Sequence, residues 1–156
     1  MLYKNIMLAT DGSDISNKAL KEAIQLATDQ KAHLRILHVV DEAFIYHGGP
    51  GFDYSLIIKA FKDEGQKILD STASIVSKQS SIQFDTALIE LNPFQGRIAE
   101  EIITQAQDWP ADLLIIGTHG RRGFSRLFLG SVAENIIRIA TMPVLLIRGQ
   151  VSEETP

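Results

Sequence analysis

LLIIGTHGRRGFSRLFLGSVAENII, residues 113–137, carries the reading of the fold. Leu113 to Ile116 is an unbroken apolar run, the mark of a strand buried on both faces. It stops at Gly117, where a loop rich in glycine and arginine begins. At Gly130-Ser131 the period changes, and Val132, Ala133, Ile136 and Ile137 recur at helical spacing. A strand, a glycine-rich loop and a helix start in that order make a place for an anion. The first N–H groups of a helix lack partners, and its macrodipole favours negative charge there. Glycines let the backbone approach a ligand closely and adopt positive φ.

The same alternation repeats outward from this unit. Tyr3 to Thr10 (YKNIMLAT) predicts a first strand, ended by the turn Asp11-Gly12-Ser13. Ser16 is a candidate cap for a helix running to about Gln30, with Ala19, Leu20, Ala23, Ile24 and Ala27 on its apolar face. Leu34 to Val40 predicts a second strand. Residues 41–53 break the pattern with Gly48, Gly49, Pro50 and Gly51. Tyr54 to Lys78 predicts a long helix, kinked near Gly65. Ile82 to Leu91 predicts a third strand, and Asn92-Pro93 a turn and candidate helix start. Ile98, Ala99, Ile102, Ile103 and Ala106 mark a third helix, ended by Trp109-Pro110. After Met142-Pro143, Val144 to Ile147 (VLLI) predicts a fifth strand.

Strands alternating with helices predict an α/β fold: one domain over residues 1–149, with a five-stranded parallel sheet between two helical layers. Residues 150–156 read as a polar tail. In such open sheets ligands bind beyond the carboxyl ends of the strands, at the point where strand order reverses. Asp11, Val40, Asp41 and Gly117 all fall at strand ends, so folding is expected to gather them around one crevice.

The chain has 156 residues, 45% of them hydrophobic, enough for one domain with a real core. Its formal charge of −4 argues against general nucleic-acid binding, which calls for a strongly basic face. Arg121, Arg122 and Arg126 form a local basic patch. The absence of cysteine excludes disulfides, thiolate catalysis and cysteine metal sites. The N-terminal run MLYKNIMLATDGS lacks the anatomy of a secretion signal, and no apolar stretch approaches the ~20 residues of a membrane span. The expectation is a cytoplasmic protein.

Gly117, Gly120, Gly130 and Ser131 form G-x2-G-x9-G-S. Gly117 and Gly120 suit a tight turn leaving the fourth strand. Gly130-Ser131 places a hydroxyl and partnerless amides at the helix start, suited to phosphate oxygens. The alternative is a connection in which Gly130-Ser131 merely caps a helix. Neither the Walker pattern nor the Rossmann pattern is present. Asp11 suits a ribose hydroxyl or a magnesium ion near phosphates, or simply makes the Asp-Gly turn. Val40 suits a backbone contact to a base edge, or is plain core. His33, His38, His47 and His119 lack the spacing of a zinc site. Ser125 and Ser131 lack a nucleophile elbow. Asp63-Glu64 and Glu100-Glu101 read as solvated helix faces.

The stretches ATDGS, ILHVVD and ADLLIIGTHGRRGFSRLFLGSVAENIIRIATMPVLLIR together resemble the universal stress protein family, of the UspA type, over nearly the whole chain. The glycine spacing resembles that of its ATP-binding branch. The resemblance implies the adenine-nucleotide α-hydrolase-like superfold. It implies that Asp11 meets the ribose or the phosphate–magnesium region, and that Val40 contacts adenine through its backbone. By the same resemblance Gly117 and Gly120 shape the pocket near ribose and α-phosphate, while Gly130, Ser131 and Val132 wrap the outer phosphates. The stretch IELNPFQG departs from family members that carry glycine before the third helix. The resemblance also implies a homodimer through the last strand, Val144, Leu145, Leu146 and Ile147, an apolar sheet edge of the kind normally paired or covered.

Three functions compete. The first is a regulatory protein binding ATP, or a related adenine nucleotide, with slow or no hydrolysis, since nothing resembles a base-activated water with a trans arginine. The second is a nucleotide-independent dimeric interaction module. The third, a nucleotidyl-transferring enzyme, would need a substrate domain that 156 residues do not supply.

Overall fold

The computed structural model describes residues 2–44, 51, 53–119 and 129–149. Gly120, Arg121, Arg122, Ser125, Arg126, His47 and the tail 150–156 lie outside the described residues.

Five parallel strands, β1 (Asn5–Ala9), β2 (His33–Asp41), β3 (Phe84–Leu91), β4 (Leu113–Gly117) and β5 (Val144–Ile147), form one sheet in the order β3-β2-β1-β4-β5. The connecting helices are α1 (Asp14–Gln30), α2 (Tyr54–Gln79), α3 (Ile98–Asp108) and α4 (Ser131–Ile139). The chain winds outward from β1 to β3, then crosses back to add β4 and β5 on the other side. The switch point therefore lies between β1 and β4.

Strand pleating explains the three layers. Successive side chains point to opposite faces, so a strand covered on both sides is apolar throughout. Ile6 and Leu8 of β1 and Leu113 and Ile115 of β4 pack on α1 and α2, against Ala19, Ala23, Leu69 and Val76. Met7, Leu114 and Ile116 face the other way, against α3 and α4 through Ala99, Ile102, Ala106, Ala133 and Ile136. Each fully buried side chain of this size contributes about 1.5–3 kcal/mol.

Two local expectations are corrected. Ser16 is not the cap of α1; Ser13 is, its hydroxyl accepting the Ser16 N–H at 3.3 Å. Asn92-Pro93 does not open α3. Gly96 adopts φ +102°, which breaks the helical path, and α3 starts after it, with Glu100 folded back to accept the Arg97 N–H. Residues 54–79 form one continuous helix through Gly65, where the lack of a side chain admits a close neighbour. A Cβ there would lie 2.7 Å from Cδ2 of His38 and 2.9 Å from Leu88.

Candidate functional site

Beyond the carboxyl ends of β1, β2 and β4 lies a cavity of about 400 Å³. Its wall includes Asp11, Val40, Gly117, Gly130, Ser131 and Val132, all singled out from the sequence. It also includes residues to which the sequence reading gave no place in the site. These are Thr10, His38, Val39, Thr118 and, from the helices, Phe61, Glu64, Ile68, Ile98 and Ile102. Apolar residues of α2 and α3 line it together with polar groups of the strand ends and of the starts of α1 and α4. That is the usual make-up of a small-molecule pocket.

Asp11 does make the turn. Its Oδ1 accepts the Ser13 N–H at 2.9 Å and the Ser16 hydroxyl at 2.7 Å. Positive φ falls at Gly12 (78°), and among the described glycines neither Gly117 nor Gly130 has it. Gly130 has φ −62°, open to any residue. Gly117 is small for a different reason: a Cβ there would come within 2.6 Å of the Ile15 side chain on α1.

Ladder parity decides which backbone groups face the crevice. The His33 N–H and the Leu37 carbonyl bond to β1, whereas the Leu34 N–H bonds to β3. Backbone direction alternates along a strand, so Val40 directs its N–H and carbonyl toward β3. Val39 and Asp41 direct theirs to the β1 side, past the last β1–β2 pair, Ala9↔Leu37. Thus Val39, next to the predicted Val40, turns its backbone N–H and carbonyl to the crevice. On β4, Leu114 and Thr118 donate to the β5 side. Gly117 accordingly faces the gap past the last β1–β4 pair, Leu8↔Ile115.

The glycine-rich loop is pinned at its ends. Gly130 N–H donates to the Thr118 carbonyl at 2.8 Å, and Thr118 N–H donates to Ile147 of β5 at 2.9 Å. The Gly130 amide is therefore engaged within the protein. The helix-start donors aimed outward are those of Ser131, Val132 and Ala133, which follow a cap residue with no side chain to satisfy them. His38 steadies the opposite wall. Its Nδ1 lies 2.8 Å from the Thr10 carbonyl, an acceptor only, so Nδ1 carries the proton.

No group of three or more His, Cys, Asp or Glu side chains among the described residues could hold a metal by itself. A magnesium ion would fit only as it commonly does, on one carboxylate plus phosphate oxygens and water, with Asp11 as the protein ligand.

An open parallel sheet with a polar-rimmed cavity at its switch point defines an α/β protein arranged to take a small ligand at its strand ends. Comparison with known proteins names the lineage. The model of the universal stress protein family matches residues 2–148, and the chain belongs to that family. A universal stress protein of Methanocaldococcus jannaschii is 36% identical over 148 residues, covering 94% of this chain and 83% of that protein. The crystal structure of a universal stress family protein from Burkholderia pseudomallei superposes with a TM-score of 0.77 at 32% identity, covering 94% of this chain and 96% of the other. The fold is the three-layer, adenine-nucleotide α-hydrolase-like arrangement. Two neighbours of this fold, each 24% identical, were solved with ligands: one with cAMP, TM-score 0.66, and one from Archaeoglobus fulgidus with dAMP, TM-score 0.64. Coverage is 95% and 94% of this chain and 98% and 99% of theirs. No helix among the described residues is long and apolar enough to cross a membrane.

Proposed function

We propose that this chain binds an adenine nucleotide, ATP foremost, in the switch-point cavity, and acts as a cytoplasmic regulatory protein of stress responses with slow or no hydrolysis. The observation that carries the reading is the convergence on one cavity of the Asp11 turn, the β2 end at Val39-Val40, Gly117 and the amides of Ser131, Val132 and Ala133. Apolar side chains from both helical layers, Ile68 of α2 and Ile98 and Ile102 of α3, suit a base, and the start of α4 suits phosphate. Gly120, three residues after Gly117 in the sequence, belongs to the same proposal. Asp11, with the phosphates, would hold magnesium. The adenine nucleotides bound by two members of the same fold support the choice of ligand class. The regulatory role fits the carboxylates at the strand ends, each of which has one oxygen bound within its own turn. Asp11 Oδ1 is held by Ser13 and Ser16, and Asp41 Oδ1 accepts the Ala43 N–H.

Ser131→Pro tests the phosphate contact without breaking the helix. Proline is tolerated at the first helical position, and Gly130 at ψ 154° already has the extended conformation that precedes proline. The variant removes one amide and one hydroxyl. Calorimetry with magnesium-ATP should show binding to the wild type and about tenfold or greater weakening in Ser131→Pro. No heat in the wild type, or equal affinity in both, would overturn the reading.

A homodimer through the β5 edge belongs to the same proposal. Val144, Leu145 and Leu146 are only partly buried, and Ile137 and Ile139 of the preceding helix are 48% and 40% exposed.

A further inference from the structure

We propose that Phe61 is the base-stacking residue of the cavity, the nucleobase lying flat against its ring. The inference rests on the adenine-nucleotide reading and names the surface on which the base sits.

The helix α2 buries one stripe on the sheet. Gly65, Leu69, Thr72 and Val76 are its buried residues, spaced as one helical face requires. One turn before Gly65, Phe61 continues that stripe. At about 100° per residue it lies roughly 20° round the helix from Thr72. Yet Phe61 is 40% exposed, whereas Leu69 is 1% exposed. Direction does not explain the difference, and position does. A helix joining parallel strands runs opposite to them, so residues before Gly65 stand nearer the carboxyl ends of the strands. Gly65 sits over the His38 ring of β2. Phe61, about 6 Å further along, passes beyond the ladder and lines the cavity. Leu56, also exposed, lies roughly 160° from Thr72 and belongs to the outer face of the helix.

The plane of the base follows from the ladder. Val39 turns its N–H and carbonyl to the gap past the pair Ala9↔Leu37. Strand backbone bonds run within the sheet, and a donor to a carbonyl lies near the carbonyl plane. A base held there by its edge takes the place of a strand, so its two faces turn to the two helical layers. Ile98 and Ile102 of α3 stand on one side, Phe61 and Ile68 of α2 on the other. Among the described residues of the wall, Phe61 supplies the only phenyl, phenol or indole ring. Aliphatic side chains cover a base, and an aromatic ring also stacks on its π-face.

The experiment is calorimetry of magnesium-ATP on the wild type, Phe61→Leu and Phe61→Tyr, together with intermolecular NOE spectra of the wild-type complex. Phe61→Leu keeps an apolar cover, loses the ring, and should weaken ATP about five- to tenfold. Phe61→Tyr keeps the ring and should stay within about twofold of the wild type. Without nucleotide both variants should melt close to the wild type, since the side chain lies outside the buried core. In the wild-type complex the Phe61 ring protons should show NOEs to adenine H2 or H8, a readout that needs no variant to fold.

Unchanged ATP affinity in Phe61→Leu, or a loss in Phe61→Tyr as large as in Phe61→Leu, overturns the inference and leaves nucleotide binding intact. So does a wild-type complex with ATP bound and no NOE between ring and base. A wild type that binds no ATP ends the nucleotide reading itself, and this inference with it.

Discussion

Gly65 and His38 show how a single missing side chain can serve a site. Exchanging an exposed helical glycine for alanine normally gains about 1 kcal/mol. At Gly65 the new Cβ would meet the His38 ring at 2.7 Å, and that ring is held by its bond to the Thr10 carbonyl. Overpacking of this kind costs about 1–3 kcal/mol. Gly65→Ala is therefore expected to lower stability by up to about 2 kcal/mol net, read from the midpoint of denaturant unfolding; a rise in the midpoint would contradict the contact. Asp85, on β3 at the other end of the sheet, gives a pH test. Partial burial works to raise its pKa, but hydrogen bonds from Arg35 at 2.6 and 3.1 Å and from His33 at 2.8 Å outweigh it. The carboxyl thus titrates below its ordinary 3.8. A depressed folded pKa contributes stability above the unfolded value and loses it as pH falls through the folded one. Asp85→Asn should therefore flatten the loss of stability below about pH 4, measured by melting across an acid series. An unchanged acid slope would contradict the pairing. Residue types at strand ends were legible in the sequence, because Asp-Gly and an apolar run ending in glycine are local signals. The reasons for Gly65 and Gly117 were not, since each is set by a partner distant in sequence: His38 for one, Ile15 for the other.

At the scale of elements, the period of apolar residues found the five strands and four α-helices of the described residues, though not the short 3-10 turn Glu42–Phe44 or the order of the strands. What it missed lies at the ends. Ser13 rather than Ser16 caps α1 because both serines follow the turn, and only the fold decides which hydroxyl meets which amide. Parity along β2 was equally hidden: Val39 and Val40 are the same residue type, and only the ladder reveals which backbone faces the crevice. Parity also makes a test of the β5 edge. The carbonyls of Pro143 and Ile147 bond to β4, so Val144 and Leu146 direct their backbone groups outward. Leu146→Pro removes an outward N–H while sparing the bonds to β4, and proline is tolerated on sheet edges. Light scattering after size exclusion should show a dimer in the wild type and a shift toward monomer in Leu146→Pro. A wild type that is monomeric at high concentration would contradict pairing through this strand.

At the scale of the whole molecule, alternating strands and helices bring three distant turns to one end of one sheet. The reversal of strand order opens a gap there that no neighbouring strand fills. A ligand in that gap touches β1, β2, β4 and α4 together and should stabilise the fold as a unit. At about 100 times its dissociation constant, magnesium-ATP adds about 2.7 kcal/mol, or roughly 5–10 °C in melting temperature for a domain of this size. No shift at saturation would count against binding. The most direct test is a titration of the isotope-labelled protein with magnesium-ATP, followed amide by amide in NMR spectra. The account predicts that the largest shifts fall on Asp11, Val39, Gly117, Ser131, Val132 and Ala133, with the β3 edge and the far end of the sheet near Asp85 unmoved. Saturating nucleotide that leaves those six amides in place, or that moves residues elsewhere instead, would contradict it.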